Sequence, residues 1–261
     1  MRLLSSWKTL LVCILVAACA RGPEDDDFSV NSSGQIFGGE KVAFSEAIAR
    51  STVGIYNRKQ KTYCTGTLLA KNIVLTAGHC LTSADRDHEI RFGLKLERAS
   101  RRVLKALREP HYTKDPIFGP ANDVALVKFE GRVPEGYVPA KLIENFSSLR
   151  VNAPVLIAGY GMAYPRLRTG LGTLRKTTLP LSKPDYKPNE FKILQEGKTG
   201  TCFGDSGGPV YAMERGEFKL IGVTSKVARK ENGHRCLGSS IYSRVDFYQA
   251  WINSALEALN K

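Results

Sequence analysis

Metal-ligand spacings are missing from this sequence. Its 261 residues contain no C-x-x-C, no H-x-x-x-H and only four histidines, so a zinc-type centre is not expected. Internal repeats and low-complexity tracts are also absent, which excludes a repeat architecture. The longest apolar run near the start, "TLLVCILVAA" at 9–18, has ten residues and is too short to span a bilayer as a helix. Helical amphipathicity is absent until the last fifteen residues. Acidic residues are in deficit, 25 against 38 basic, for a net charge of +13. That surplus makes acidic partners conceivable, but it speaks to solubility and non-specific binding, not to chemistry. What remains is an ordinary globular balance, 43% hydrophobic and 24% charged, enough for one large domain or two small ones.

The N-terminus has the layout of an export signal: Arg2 and Lys8, then the apolar core 9–18. Its end reads in more than one way. Ala18-Cys19-Ala20 has the small-x-small form of ordinary signal cleavage after Ala20. "LVAAC" at 15–19 also resembles the lipobox of bacterial lipoproteins, with Cys19 as the lipidated residue, and an uncleaved anchor is the third ending. Setting aside Cys13 and Cys19, four cysteines remain: Cys64, Cys80, Cys202 and Cys236. An even count in an exported chain implies two disulfides, and four cysteines allow three pairings. The expected location is secreted or in the cell envelope.

Residues 20–35, "ARGPEDDDFSVNSSGQ", are polar, acidic and without periodicity, as in a linker or pro-segment. From Ile36 the pattern changes to short apolar runs between Gly- and Pro-marked turns. "STVGIY", "TGTLLA", "NIVLTAG", "DVALVKF", "APVLIAGYG" and "FKLIGVTS" are rich in Val, Ile, Leu and Thr, as strands are. At the end, "DFYQAWINSALEALN" at 246–260 places Phe247, Trp251, Ala255, Leu256 and Leu259 at helical spacing. The reading is an all-β body with a C-terminal α-helix.

The chemistry concentrates in "TCFGDSGGPV" at 201–210. Ser206 stands between Asp205 and two glycines, with Gly204 ahead. Glycines permit close backbone approach and conformations other residues resist, which an exposed nucleophile with amide N–H groups beside it requires. Ser206 needs a base. His79, in "VLTAGHC", ends an apolar strand next to Cys80, whereas His88, His111 and His234 lie in charged stretches and read as solvated. The base needs an orienting carboxylate, and Asp123 opens the apolar "NDVALVKF".

These strings, with "IFGG" at 36–39, "GYG" at 159–161 and the Trp-containing final helix, resemble in order the chymotrypsin-like (trypsin-fold) serine endopeptidases. The resemblance covers essentially all of 36–261 and, with the lipobox, suggests a bacterial member. It implies two six-stranded antiparallel barrels, here 36–141 with His79 and Asp123 and 142–261 with Ser206 and the helix. It implies the pairings Cys64–Cys80 and Cys202–Cys236. It makes Ser206 the nucleophile, His79 the general base and Asp123 its orienting partner, with an oxyanion hole from the N–H groups of Gly204 and Ser206. It implies a zymogen cut between Gln35 and Ile36, the new Ile36 ammonium pairing with Asp205. Gln35 departs from the commonest pattern, an Arg or Lys before the cut, which argues against a trypsin-like activating protease. If Cys19 carries lipid, that cut would also release the enzyme from a membrane.

The resemblance also places substrate-binding residues. Gly200, six before Ser206, stands at the pocket base where trypsin-type enzymes carry Asp. Ser225, Lys226 and Val227 form one wall where Ser-Trp-Gly is common, and Ser240 the other. Val227 in place of glycine narrows the pocket. The expectation is cleavage of protein or peptide substrates after small or medium uncharged residues, with attraction of acidic residues by Lys226 as a lesser alternative. The resemblance further implies a monomer. No cofactor is expected, and no metal, since the region around 89–103 is dominated by Arg and Lys. The competing class is a catalytically weak protease-like binding protein that uses its basic surface, "RASRRVLKALR" at 98–108 being the densest stretch. No aromatics interleave there, so nucleic acid is not expected as a partner.

Overall fold

The structure, a computed structural model, describes residues 36–261 apart from 97–98, 118, 166, 196–198 and 229–235. The export segment with Cys19, the acidic stretch, Gln35 and His234 lie outside the described residues. In chain order the strands are β1 (Glu40–Lys41), β2 (Thr52–Asn57), β3 (Thr62–Ala70), β4 (Ile73–Thr76), β5 (His88–Phe92) and β6 (Ala99–Arg108). There follow β7 (Thr113–Asp115), β8 (Gly119–Ala121), β9 (Ala125–Phe129), β10 (Pro154–Gly159) and β11 (Arg175–Pro180). The chain ends with β12 (Lys183–Lys187), β13 (Glu190–Leu194), β14 (Pro209–Glu214), β15 (Glu217–Ala228), β16 (Ser239–Arg244) and α1 (Gln249–Asn260).

Strands β2-β3-β4-β9-β6-β5 close into a six-stranded barrel. A further sheet runs β1-β11-β10-β14-β15-β16-β13-β12, and the strand pairs in both are antiparallel. This is the all-β architecture with a C-terminal helix that the resemblance implies. The further sheet has eight strands in one ladder order, seven from 142–261 and β1, which pairs with β11 at Lys41↔Arg175. The chain therefore enters through the second sheet before it builds the first barrel.

The apolar runs lack clean alternation for a physical reason. In β4, Val74 points into the first barrel with Val53, Ile55, Leu68, Ile90 and Phe92. Its neighbours Ile73 and Leu75 point to the other core with Ile157, Val210 and Val223. Ala125 and Val127 of β9 face the first cluster and Leu126 the second. A strand buried on both faces reads as a continuous hydrophobic run.

Two surface expectations change. His88 is 1% exposed, with Nε2 3.2 Å from the Asn57 amide nitrogen and Nδ1 3.1 Å from the Ala84 carbonyl. It begins β5, whose alternate residues point inward, so a charged neighbourhood in sequence does not put it in water. His111 is on the surface, paired with Glu109 at 3.0 Å. In the helix, the buried face is Ile252, Ala255 and Leu259. Phe247 precedes the first turn and is half exposed.

Candidate active site

Sheet register explains why His79 and Asp123 meet. β4 and β9 pair antiparallel with Thr76 opposite Ala125, so residues just after β4 and just before β9 leave the barrel at the same end. His79 lies three residues beyond Thr76, and Asp123 two residues before Ala125. Asp123 is 1% exposed. Its Oδ1 accepts the His79 backbone N–H at 2.9 Å, and its Oδ2 faces the imidazole Nδ1 at 2.7 Å. The Ser225 hydroxyl donates to the same Oδ2 at 2.6 Å. A buried carboxylate is tolerable when its lone pairs are met in this way. With Asp123 accepting, Nδ1 carries the proton and Nε2 is left as the basic nitrogen.

Ser206 comes from the other sheet. Pro209, at the start of β14, pairs with Val223 of β15, which sets the preceding turn beside Ser225. Thr65 of β3 fastens that turn to the first barrel. Its N–H donates to the Ser206 carbonyl at 2.8 Å and its hydroxyl to the Gly204 carbonyl at 2.8 Å. The same hydroxyl accepts the Tyr160 N–H at 3.1 Å. The Cys80 sulfur lies 3.6 Å from the Ser206 carbonyl oxygen, which brings the residue next to His79 against the turn. Among the described residues the Ser206 hydroxyl makes no hydrogen bond to the imidazole. Catalytic contacts of this kind commonly tighten only around substrate.

Gly204 has φ +98°, and a Cβ there would lie 2.6 Å from Leu171 Cδ1 and 2.9 Å from the Gly161 Cα. Only glycine fits that backbone without displacing its neighbours. The N–H groups of Gly204 and Ser206 have no acceptor among the described residues. The carbonyls of these same two residues are both taken by Thr65.

A cavity of about 270 Å³ opens beside Ser206, lined by Cys202, Phe203, Ser225, Lys226, Val227 and Cys236. The disulfides are Cys64–Cys80 and Cys202–Cys236, the pairing the resemblance implies. The sulfurs of Cys64 and Cys80 cluster with His79, but they are bonded to each other and offer no thiolate to a metal.

Gly200 and Ser240 are not among the residues that line the cavity. Gly200 exchanges backbone hydrogen bonds with Phe37. The Ser240 hydroxyl is fully buried and bonds to Gln195 and Thr201. Gln195 is the residue that sequence reasoning missed. Its amide donates to the Thr201 and Cys236 carbonyls and accepts the Thr201 N–H at 2.7 Å, and a Cβ at Gly200 would strike it at 2.3 Å. No local string marks Gln195, because its partners are six to 45 residues away. The Lys226 side chain lines the cavity, while its ammonium donates to the Pro120 carbonyl at 2.7 Å and pairs at 2.7 Å with buried Glu190, a carboxylate it shares with Lys187.

Asp205 is fully buried. Its carboxylate accepts the Gly161 N–H at 2.8 Å and the Cys202 N–H at 2.9 Å. Burial pushes the carboxyl up from 3.8 to about 7, against the downward pull of those two bonds and of the Arg175 guanidinium. The "GYG" string has a steric role: a Cβ at Gly159 or Gly161 would lie 2.2 or 2.3 Å from an Asp205 oxygen. Ile36 is 1% exposed and packs in the core with Val155, Ile157 and Tyr211.

A family model described as Trypsin matches residues 36–252, and the chain belongs to the trypsin family. It is similar to "Trypsin Blo t 3" of Blomia tropicalis, 27% identical over 272 aligned positions that cover 94% of this chain and 97% of that protein. It is 28% identical over 252 positions to "Alpha-fibrinogenase albofibrase" of Trimeresurus albolabris, covering 88% and 90%. It is 27% identical over 215 positions to "Chymotrypsin-like elastase family member 1" of Macaca fascicularis, covering 74% and 78%.

Proposed function

We propose that the protein is an exported serine endopeptidase, made as a zymogen, that hydrolyses peptide bonds through Ser206, His79 and Asp123. The observation that carries the reading is the buried Asp123 carboxylate, met by three donors, one of them the imidazole Nδ1 at 2.7 Å.

The Ser206 oxygen attacks the scissile carbonyl carbon while its proton passes to His79 Nε2. Asp123 stabilises the resulting imidazolium without taking the proton. The N–H groups of Gly204 and Ser206 receive the oxyanion. Such a donor contributes roughly 3–4 kcal/mol to the transition state. Nε2–H then protonates the leaving amine, and an acyl-enzyme ester remains on Ser206. Water, deprotonated by His79, hydrolyses that ester and restores the serine.

The side chain before the cut would enter the cavity beside Val227. Its width and lack of a free charge favour small or medium uncharged residues. Cutting between Gln35 and Ile36 would free the Ile36 ammonium for Asp205. If Cys19 is lipidated, the same cut would separate the enzyme from its anchor. Covalent labelling of Ser206 by a fluorophosphonate, abolished by His79→Ala, tests the hydrolase reading, and an unlabelled folded chain refutes it. Peptide-library profiling tests the specificity, and predominant cutting after Arg or Lys would refute that part.

A further inference from the structure

Asp205 faces a second cation that the resemblance does not supply. Arg175 is 6% exposed, and its buried Nε has no hydrogen-bond partner. Among the described residues the rest of its guanidinium makes no hydrogen bond or ion pair. A buried cation in that condition is costly, so its surroundings matter. Arg175 sits directly opposite Gly159 in the β10–β11 ladder. Directly opposed residues project to the same face of a sheet, with Cβ atoms about 5 Å apart. On that face a Cβ at Gly159 would lie 2.2 Å from Asp205 Oδ1. The register therefore aims Arg175 at the Asp205 carboxylate, across the space that Gly159 leaves open. On its other side Arg175 pairs with Lys41 of β1, five residues after Ile36. The segment that cleavage would free lies on another side of the carboxylate: Phe37 exchanges backbone hydrogen bonds with Gly200, two residues before Cys202, whose N–H donates to Asp205.

In the continuous chain the Ile36 nitrogen is an amide and carries no charge. We infer that Arg175 is a positioning residue, a resident counter-charge that holds the Asp205 carboxylate, and through it the Gly204–Ser206 turn, partly in order before Ile36 is freed. The uncut protein then keeps a fraction of its activity, and cleavage raises a level already above zero. This inference rests on the reading of Ser206 as a nucleophile activated by cleavage.

The test compares two forms: the uncut chain, verified intact by mass spectrometry, and a chain released from a cleavable fusion with Ile36 first. Each is made as wild type, Arg175→Gln and Arg175→Lys, with folding checked by circular dichroism. The readout is the rate of Ser206 labelling by diisopropyl fluorophosphate. Labelling of the uncut wild type is expected. Arg175→Gln should slow it at least tenfold more in the uncut form than in the Ile36-first form, and Arg175→Lys should restore most of the uncut rate. Equal slowing in both forms, or no slowing in the uncut form, overturns the inference, since a merely structural arginine acts on both alike. Lysine behaving like glutamine in a folded uncut chain also overturns it. If the Ile36-first wild type is itself unlabelled, the hydrolase reading fails and takes this inference with it.

Discussion

Freeing Ile36 should change how stability depends on pH. In the continuous chain Asp205 titrates at about 7, against 3.8 for an ordinary aspartate, chiefly because it is buried. A group whose midpoint rises on folding favours the native state fully below its unfolded value and less as pH climbs through its folded value. The uncut chain should therefore lose stability from this group between about pH 4 and pH 7. The displacement corresponds to about 4 kcal/mol, an upper figure for a buried carboxyl. An ammonium arriving beside Asp205 favours the charged form and pulls the midpoint back down, so the loss should shrink in the Ile36-first chain. The Ile36 α-amino group, which titrates at about 8 when free, is present only in the cut form and the acidic side chains of 20–35 only in the uncut form; the remaining titrating groups are common to both and cancel in the difference. Urea unfolding at pH 4.5 and pH 8, in a Ser206→Ala background to prevent self-digestion, measures it. The cut form should gain on the uncut form by a few kcal/mol between the two pH values. Parallel pH profiles for the two forms would refute the assignment of Ile36 as the partner of Asp205.

Ser225→Ala removes one of three donors to Asp123. A hydrogen bond to a charged group is worth about 1.5–3 kcal/mol, so kcat/KM for a peptide substrate should fall roughly tenfold to a hundredfold. Thr65→Val strands the Gly204 carbonyl and the Tyr160 N–H. It should cost about 1–3 kcal/mol of unfolding free energy for each stranded group, with Thr65→Ser retaining most of it. Val227→Gly removes a lining side chain from the cavity and should move the preference of library profiling toward larger residues before the cut.

Local strings carried much of the architecture. The runs at 51–56, 65–70, 72–78, 123–129, 153–161 and 218–225 each overlap a strand, because β-branched density and flanking glycines act over a few residues. The Gly-rich turn around Ser206 was readable for the same reason, since positive φ at Gly204 is a property of one residue. What escaped depends on register between distant segments. Gln195, Arg175 and the true direction of Lys226 are set by partners that only the assembled sheet brings near. His88 escaped because strand alternation, not neighbouring charge, decides which way it points. The joining of β1 to β11 leaves no mark in a two-residue stretch of Glu and Lys.

The Cys64–Cys80 bridge closes a short loop, 16 residues in separation, whose far end adjoins His79. A link over a loop of that size constrains the unfolded chain by about 3 kcal/mol. In a thiol-rich cytosol that constraint would be missing, and the proposed general base would hang on an untied segment. On the proposed reading as an exported zymogen, oxidation on the far side of a membrane would be an early safeguard, keeping the newly made chain from damaging its maker before any proteolytic trigger is reached.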